Sequence, residues 1–364
     1  MKPLYIVGTQ RDIGKTTTSL GLARAFSDRG LSVGYLKPLG QRTVTAEGHV
    51  VHDDARLVYT SLGQPEVTQD DMAIPLPSGR VEKEIGNPQS DELFAKVKQS
   101  YEAVAATKDV MIVEAMGHVA MGSCLGLSAA DVSRRLGAKT LLISGGGIGR
   151  AIDEIALCST FLYARGADFL GVIVNKVWPE KYERVRAATM QGLANLGITS
   201  YGAMPFDKEL AAPTMQQVYE VIDGEILSGA ENMERRVYNT MVAAMEADNM
   251  IRHLKESTLV IAPGDRQDNI IACLCAHIMG DIRQRTLAGL ILTGGLRPDA
   301  QTLSLIAASG VPVVLAKEDT YTVVNKYHET VFKIRPGDST RIEAAVNVVN
   351  KYVDVDGILR SLEQ

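Results

Sequence analysis

The sequence predicts an α/β protein with two domains in tandem, and three observations support this prediction. The chain has 364 residues, and domains average roughly 150 residues. Residues 1–205 alternate short apolar runs with segments of helical periodicity, which is typical of a parallel sheet covered by helices on both faces. A second alternation of the same kind begins near residue 259. We therefore expect a first domain over residues 1–206 and a smaller α/β domain over residues 207–364.

The strands and helices of the first domain follow from the apolar pattern. Apolar runs predict strands at residues 4–7, 33–36, 110–113, 140–143 and 170–174. Helical spacing predicts helices at residues 17–29, 91–106, 151–164 and 180–196. Residues 41–87 are polar, contain several prolines and lack a clear strand. We expect this stretch to be an excursion that carries site loops, with a helix near residues 54–62.

The second domain is expected to begin with a charged, helix-rich segment at residues 207–256. Its apolar spacing suits a packing helix that could serve as a dimer surface. Further along, strands are predicted at residues 259–262, 287–292 and 311–315, and helices at residues 269–279 and 300–308. Residues 339–350 are expected to form the closing helix of this domain.

Composition and charge exclude several classes of protein. A hydrophobic content of 46% with 22% charged residues is ordinary for a globular chain. The net charge of −5 argues against a dedicated nucleic-acid binder, which usually carries a basic face. No apolar run reaches the roughly 18 residues of a membrane helix, and the N-terminus lacks a signal-peptide pattern. We expect a cytoplasmic protein whose four cysteines, all in apolar stretches, are buried thiols: Cys124, Cys158, Cys273 and Cys275.

The strongest chemical signal is the run GTQRDIGKTT at residues 8–17, which follows a predicted strand and opens a predicted helix. Glycines allow the backbone N–H groups to face phosphates, and the helix N-terminus adds positive charge. Lys15 would reach the outer phosphates, and the hydroxyl of Thr16 would ligate Mg²⁺. The predicted nucleotide-binding residues of this loop are Gly8, Thr9, Asp12, Gly14, Lys15, Thr16 and Thr17. The common motif has four residues between its glycines, whereas this loop has five.

This longer loop at the N-terminus resembles that of the dethiobiotin synthetase superfamily. That superfamily also contains cobyrinic acid amidating enzymes and the N-terminal part of long phosphotransacetylases, and the resemblance covers residues 1–206. It implies a P-loop NTPase-type fold that binds ATP and Mg²⁺, with a site often placed at a homodimer interface. It further implies that Lys37 acts at the site, that Asp54 and Glu114 hold Mg²⁺, that Asn175 recognises adenine and that Pro205 lies near the base.

The residues themselves support the same placement but leave alternatives open. Lys37, Asp54 and Glu114 lie at or beyond predicted strand ends, where open parallel sheets bind their ligands. Glu114 follows a strongly apolar run, and a buried carboxylate without a partner is costly. Glu114 could instead be the ion-pair partner of Lys37, and Lys37 could be a solvated residue at a strand end. Asp54 could be a charge at a helix N-terminus, and Asn175 could be a turn or cap residue.

Other positions depart from the pattern of the synthetases. Arg11, Gln41, Arg42, Met116 and His118 stand where that family has small or hydroxyl residues near its second substrate. We therefore expect ATP binding without dethiobiotin synthesis. His118 is a candidate proton carrier, or else a hydrogen-bonded loop residue. The glycine run at residues 145–147 is expected either to approach a ligand or to form a tight turn.

The second domain carries two glycine motifs after predicted strands. They contain Asp265 and Arg266 in one loop, and Thr293, Gly294 and Gly295 in the other. Strand-end loops of one parallel sheet meet at the same edge. This pair resembles the DRTGG domain, for which a ligand-sensing or assembly role is implied. Arg266 either pairs with Asp265 or binds an anion beside the Gly294 and Gly295 amides.

Taken together, the chain resembles the N-terminal half of a long phosphotransacetylase, and no acetyl-CoA chemistry is expected of it. The leading hypothesis is a Mg·ATP-binding regulatory protein that senses a second small molecule or a protein partner through its DRTGG-like domain. The alternative is an ATP-dependent ligase of the dethiobiotin synthetase or cobyrinic acid a,c-diamide synthase type, with Lys15 and Lys37 as its catalytic residues and an unknown carboxylate or amine as substrate. A third hypothesis is a synthetase subunit that needs a separate glutaminase, since the apolar helix with Cys273 and Cys275 offers no nucleophile for one.

Overall fold

The computed structural model divides the chain into two compact units. It describes residues 2–40, 43–46, 49–64, 72–76, 79–86, 89–279 and 286–364. The first unit comprises Met1–Asp207 together with Ile334–Gln364, and the second comprises Lys208–Lys333. Of the residues predicted to face a second substrate, Gln41 and Arg42 lie outside the described part of the chain.

The first unit is built on a seven-stranded parallel sheet with the order β5-β2-β6-β1-β7-β8-β9. A separate antiparallel hairpin is formed by β3 and β4. The central strands are buried on both faces, which is why their sequences are continuous apolar runs. The strands are β1 Lys2–Gly8, β2 Val33–Gly40, β3 Thr43–Ala46, β4 His49–His52, β5 Met72–Pro75, β6 Val110–His118, β7 Lys139–Gly145, β8 Asp168–Val177 and β9 Ser200–Pro205.

The second unit contains a five-stranded sheet with the order β10-β14-β13-β12-β11. Strand β10 is antiparallel to β14, and the remaining pairs are parallel. Two apolar clusters, one on each face, bury this sheet. Its strands are β10 Glu225–Ser228, β11 Asn239–Val242, β12 Thr258–Pro263, β13 Leu287–Thr293 and β14 Val313–Leu315.

Helices follow most of these strands. In chain order they are α1 Lys15–Ser27, α2 Asp53–Ser61, α3 Arg80–Gly86, α4 Ser90–Ala105, α5 Ala129–Arg135, α6 Gly149–Ala164, α7 Tyr182–Asn195, α8 Lys208–Ala211, α9 Met215–Ile222, α10 Ala247–His253, α11 Gln267–Ile278, α12 Ala300–Ser309, α13 Thr320–Glu329, α14 Ser339–Tyr352 and α15 Val355–Glu363. Within the described residues, none of these helices has the length and apolar content to cross a membrane.

The predicted fold class is confirmed, since both units are α/β and the first contains a large parallel sheet. The expectation of a helix-rich segment at residues 207–256 is wrong in part, because β10 and β11 lie within it. Met233 and Val237 are both buried and lie four residues apart, which imitates helical spacing. The backbone between them is not helical, and β11 instead pairs in parallel with β12.

The C-terminal segment differs from the expected second domain of residues 207–364, because residues 334–364 belong to the first unit. Helix α14 packs on α1, where Gly21 leaves room for Val349 and for the backbone of Ala345. Ion pairs of 2.8 Å between Arg29 and Asp356 and of 2.7 Å between Lys2 and Glu363 hold α15 on the same unit. The sequence signal for a closing helix was therefore correct, but the helix closes the other domain.

The cysteines also differ from expectation. Cys158 and Cys273 are buried, and burial raises the pKa of the Cys158 thiol to about 11 and that of Cys273 to about 12. Cys124 and Cys275, by contrast, are exposed. Cys275 lies on the outer face of α11, two residues after Cys273, which faces the core. An apolar sequence context was not sufficient to predict burial, because the helix has a solvent face.

Replacing Gly21 with alanine tests the packing of α14 on α1. The new β-carbon would lie 2.6 Å from Val349 Cβ and 2.9 Å from the Ala345 carbonyl oxygen. We expect this overpacking to lower the free energy of unfolding by about 1–3 kcal/mol, although alanine has the higher helix propensity. The measurement is urea denaturation of the full chain.

The matched control is Gly149→Ala in α6, where a β-carbon meets nothing within 4 Å. This variant should be as stable as the wild type or slightly more stable. Equal stability of the two variants would contradict the docking of α14 on α1.

Candidate functional site

The loop between β1 and α1 curls tightly at the carboxyl edge of the first sheet. Asp12 and Gly14 have φ angles of 53° and 100°, in the left-handed region. A β-carbon at Gly14 would collide with the side-chain amide of Asn175, and one at Gly8 would lie 2.7 Å from the carbonyl oxygen of Gln10. The glycines predicted to be needed for a phosphate loop are thus required by its backbone.

Lys15, Thr16 and Thr17 form the first turn of α1, which begins two residues before the predicted helix of residues 17–29. The Lys15 side chain is only 6% exposed, and its Nζ folds back over the loop, 3.4 Å from the point where a β-carbon of Gly8 would be. The hydroxyl of Thr9 is buried and has no hydrogen-bond partner among the described residues. Since buried hydroxyls are normally paired, Thr9 marks a place where an outside group could bond.

Glu114 is the centre of the hydrogen bonds beside this loop. It lies on β6, is fully buried, and accepts bonds on both carboxylate oxygens. Thr16 Oγ1 and Lys37 Nζ each donate to Oε1 at 2.9 Å, while Ser19 Oγ and the Tyr35 hydroxyl donate to Oε2 at 2.8 and 3.0 Å. Burial raises the pKa of Glu114, but the charges of Lys37 and Lys15 and the hydrogen bond from Lys37 together outweigh it, so the pKa lies below its usual value.

Lys37 connects the two carboxylates predicted to act at the site. Its Nζ donates to Glu114 and also to Asp54 Oδ2, and its side chain is almost fully buried. Burial lowers the pKa of Lys37, but Glu114 and Asp54 raise it by more, so the ammonium form is kept. Asp54 is placed by the first turn of α2, which His52 caps by accepting the Asp54 N–H on Nδ1 at 3.1 Å. The ion-pair alternative for Glu114 and the helix-terminus alternative for Asp54 are therefore both realised in the structure.

The oxygen atoms of this cluster fit a magnesium ion. Two oxygens that share an octahedral Mg²⁺ at about 2.1 Å lie about 3 Å apart, and Thr16 Oγ1 lies 2.9 Å from Glu114 Oε1. Carboxylate and hydroxyl oxygens are the hard ligands that Mg²⁺ prefers, completed by phosphate oxygens and water. No group of three or more His, Cys, Asp or Glu side chains suited to a metal occurs in the described ranges. That Thr16, Asp54 and Glu114 hold Mg²⁺ therefore stays a prediction, in which phosphate oxygens and water would supply the other ligands.

Asn175 braces the phosphate loop from β8. Its Nδ2 donates to the carbonyl of Ile13 at 2.9 Å, and its Oδ1 accepts the N–H of Lys176 at 2.8 Å. Lys176 in turn donates from Nζ to the carbonyl of Asp12 at 2.8 Å. Pro205, at the end of β9, pairs with Val177 on the same edge. The structural role that the sequence left open for Asn175 is present.

Three contributors were missed by sequence reasoning. Ser19 lies three residues after Thr16, on the same face of α1, and Tyr35 lies two residues before Lys37, on the same face of β2. Both positions could have been found from these spacings once Glu114 was taken as a buried centre. Lys176 carried no sequence signal, because its contact depends on a φ of 60° at its own position.

The loops that depart from the synthetase pattern mostly make contacts with other residues of the same chain. His118 Nδ1 accepts the N–H of Ala120 at 3.3 Å, which is the loop-residue alternative. Arg11 is exposed beside Met121. A β-carbon at Gly146 would lie 2.7 Å from the Lys176 carbonyl oxygen. The glycine run is therefore required by a close approach to the end of β8.

The second unit does not arrange its motif as expected. Arg266 pairs with Asp268 at 3.0 Å rather than with Asp265. The Gly294 and Gly295 amides, beside which Arg266 was one alternative for binding an anion, donate to the carbonyls of Glu318 and Ala316 at 2.7 and 2.9 Å. Thr293 shares a hydrogen bond of 2.6 Å with Thr320. These contacts fasten β13 to the segment before α13, so the motif is structural in this conformation.

Comparisons with known proteins agree with this description. A family model described as an AAA domain, AAA_26, matches residues 2–214, and the DRTGG domain model matches residues 217–330. The phosphate acetyltransferase of Pseudomonas putida is 28% identical, with 97% of this chain and 51% of that protein covered. The phosphate acetyltransferase of Pseudomonas aeruginosa is also 28% identical, with 98% and 51% covered.

This chain spans about half the length of those curated relatives. Among solved structures, the cell division ATPase MinD of Pyrococcus furiosus aligns with a TM-score of 0.37 and 13% identity, covering 58% of this chain and 86% of that one. That likeness is too small to bear on function. The AAA_26 match, by contrast, extends over more than half of the chain, together with the phosphate loop described above. The chain belongs to the AAA domain family AAA_26 and carries a DRTGG domain after its P-loop unit.

Proposed function

We propose that this chain binds Mg·ATP at the phosphate loop of its first unit and acts as a nucleotide-responsive regulatory protein. The DRTGG domain would sense a second small molecule or a protein partner. The observation that carries the proposal is the buried cluster of Lys37, Asp54 and Glu114 beside Lys15 and Thr16. A cluster of this charge, next to a loop of left-handed backbone and a helix N-terminus, suits a metal-bound polyphosphate.

Each residue has a distinct role in this proposal. Lys15 neutralises the outer phosphates, and the loop amides together with the Thr9 hydroxyl donate to phosphate oxygens. Thr16, Asp54 and Glu114 supply oxygen ligands for Mg²⁺. Lys37 must then leave at least one carboxylate, and its ammonium becomes available to a phosphate oxygen. Asn175 and the edge near Pro205 would lie near the base.

A regulatory function is favoured over an enzymatic one by the contacts of the neighbouring loop residues. His118, the proton carrier considered from the sequence, has its Nδ1 committed to a turn. The chain also matches about half of the phosphate acetyltransferases similar to it. On this proposal, the corresponding region of those longer proteins is a nucleotide-sensing region, and the present chain has the same role toward its own partner.

The second candidate function is an ATP-dependent ligase acting on a carboxylate or an amine. The observation that favours it is the presence of two buried lysines: Lys15 at the start of α1 and Lys37 on Glu114, which also accepts from Thr16. Two fixed cations can stabilise a transferring phosphoryl group, since such catalysis is mostly positioning and charge neutralisation. For either candidate function we also propose a cytoplasmic location and assembly as a homodimer. Sedimentation of the full chain with and without Mg·ATP tests for the homodimer.

Removal of the Lys15 ammonium should weaken ATP binding. We expect Lys15→Ala to lower the affinity for Mg·ATP at least about tenfold, because a buried cation facing the phosphates is lost. Lys98→Ala is the matched control, since Lys98 is exposed on α4 and pairs with Glu102 one turn along the same helix. Titration calorimetry measures both variants beside the wild type.

Phosphate release in the same samples separates the two candidate functions. Tight binding without turnover above the Lys15→Ala level supports a regulator, whereas turnover that depends on Lys15 and rises with added carboxylates or amines supports a ligase. Equal ATP affinity of the wild type and Lys15→Ala would contradict both.

The metal role of Glu114 gives a separate prediction. Glu114→Gln keeps the shape of the side chain but removes a charged metal ligand, so the strengthening of ATP binding by Mg²⁺ should largely disappear. Binding of ATP in the presence of a chelator should change much less. The control is Glu183→Gln, an exposed carboxylate on α7. If Mg²⁺ strengthened binding equally in Glu114→Gln and in the wild type, the metal assignment would fail.

A further inference from the structure

The two edges of the five-stranded sheet in the second unit differ in how they are protected. An exposed edge strand can pair with another chain, and proteins usually block it with charges, prolines or bulges. Strand β10 carries the exposed Glu225, which pairs with Arg297. Its pairing with β14 also shifts register between Ile226 and Ser228. The first edge of this sheet therefore has two of the usual protections.

Strand β11, at the other edge, has none of them. Among the described strands it pairs only with β12, in an unbroken register from Asn239 to Val242. It lies in the run VYNTMVAAM at residues 237–245, which contains no charge and no proline. Within that run Tyr238, Val242 and Met245 are 38%, 38% and 39% exposed. Both edge strands are four residues long, so β11 is distinguished by its missing protection and not by its length.

The backbone of β11 presents hydrogen-bonding groups on its open side. The N–H of Ala243 donates to the carbonyl of Ile261 on β12 at 2.9 Å. Alternate residues of a strand direct their backbone groups to opposite sides. Thr240 and Val242 therefore direct theirs away from β12. The carbonyl of Val242 also accepts the N–H of Ala244 at 2.9 Å, just after the strand ends.

The loop and helix after β12 fix the end of this edge. Asn269, buried in the first turn of α11, donates from Nδ2 to the carbonyls of Ala243 and Met245, both at 3.1 Å. Arg266 donates from Nη2 to the same Met245 carbonyl at 3.3 Å. The Arg266 loop thus positions the segment that follows β11. An edge held in one conformation loses less entropy when a partner strand binds to it.

We propose that β11 is the docking site for a second copy of this chain, with the two β11 strands paired antiparallel across a two-fold axis. The inference rests on the proposed homodimer and names its surface, and it is independent of nucleotide binding. An axis at Met241 places Thr240 of each copy opposite Val242 of the other. These are the residues whose backbone groups face outward, so each opposed pair can exchange two hydrogen bonds.

The charges that flank β11 favour a second copy over a strand of another protein. Arg236 lies five residues before Met241, and Glu246 lies five residues after it. The same two-fold axis therefore brings the basic end of each run near the acidic end of the other. Arg236 also pairs with Glu209 of its own copy at 2.8 Å, and a guanidinium has enough donors for two carboxylates. The edge is thus complementary to itself in both hydrogen bonds and charge.

The test places like or opposite charges at position 242. In the proposed register the two copies of this residue lie on one face of the joined sheet, about 7–8 Å apart. Sedimentation velocity of the full chain compares the wild type with Val242→Lys, Val242→Glu and Val242→Thr. We expect the lysine and the glutamate variant each to raise the dissociation constant of the dimer about tenfold or more, because like charges face each other. Val242→Thr keeps a β-branched, uncharged side chain and should resemble the wild type.

Mixing the two charged variants distinguishes self-pairing from other causes. An equimolar mixture of Val242→Lys and Val242→Glu should associate again, since opposite charges then meet, and this recovery also shows that both variants are folded. The matched control is Val331→Lys, which adds the same charge at another exposed valine of the second unit. It should sediment as the wild type does.

The outcomes separate the edge from the functions proposed above. A dimeric wild type whose Val242→Lys and Val242→Glu variants are equally dimeric would overturn the edge and leave the homodimer standing. Charged variants that dissociate but do not recover on mixing would overturn the pairing of one copy with another. A monomeric wild type would overturn both the edge and the homodimer, whereas the proposed nucleotide binding would still be decided by calorimetry on Lys15→Ala.

Discussion

The buried ion pair between Lys37 and Glu114 is the interaction on which the candidate site depends. A fully buried carboxylate is costly unless it is paired and hydrogen-bonded, and Glu114 receives a cation and three hydroxyl groups. Removing one partner of such a pair typically costs about 3–5 kcal/mol. The cluster therefore fixes β2, β6 and α1 relative to one another. Because the phosphate loop leads into α1, the loop is held in place as well.

Sheet order explains why these residues meet. Strand β6 lies between β2 and β1, and Leu36 pairs with Val113, so that Lys37 comes level with Glu114 on the neighbouring strand. In a parallel sheet all carboxyl ends lie at one edge. Strand β8 ends at the same edge, on the other side of β1 from β6, and its Asn175 donates a hydrogen bond to the loop. A single topological feature thus brings together residues that are far apart in sequence.

The sequence was sufficient to predict site residues where a local pattern, or the energetic cost of burying a charge, marked them. The loop at residues 8–17 was found from its glycines and its strand–helix context, and Glu114 from the cost of a carboxylate after an apolar run. Local patterns did not predict contacts that depend on the tertiary fold. The pattern of α14 showed a helix but not the glycine at position 21 that receives it. Likewise, the amides of Gly294 and Gly295 look free in the sequence, but the segment after β14 occupies them.

The charge balance of the site bears on what it can respond to. Lys37 pairs with both Asp54 and Glu114, and the charge of Lys15 also lowers the pKa of Glu114, so the formal charges of these four side chains sum to zero without any ligand. A neutral, fully bonded cluster keeps the loop formed before a nucleotide arrives. Polyphosphate alone would add negative charge beside two carboxylates, and a divalent cation alone would meet the Lys37 ammonium. On the proposed function, the two together would reduce both conflicts, because the metal would replace Lys37 at a carboxylate and the released ammonium would face phosphate. This arrangement favours a response to Mg·ATP as one unit rather than to either component.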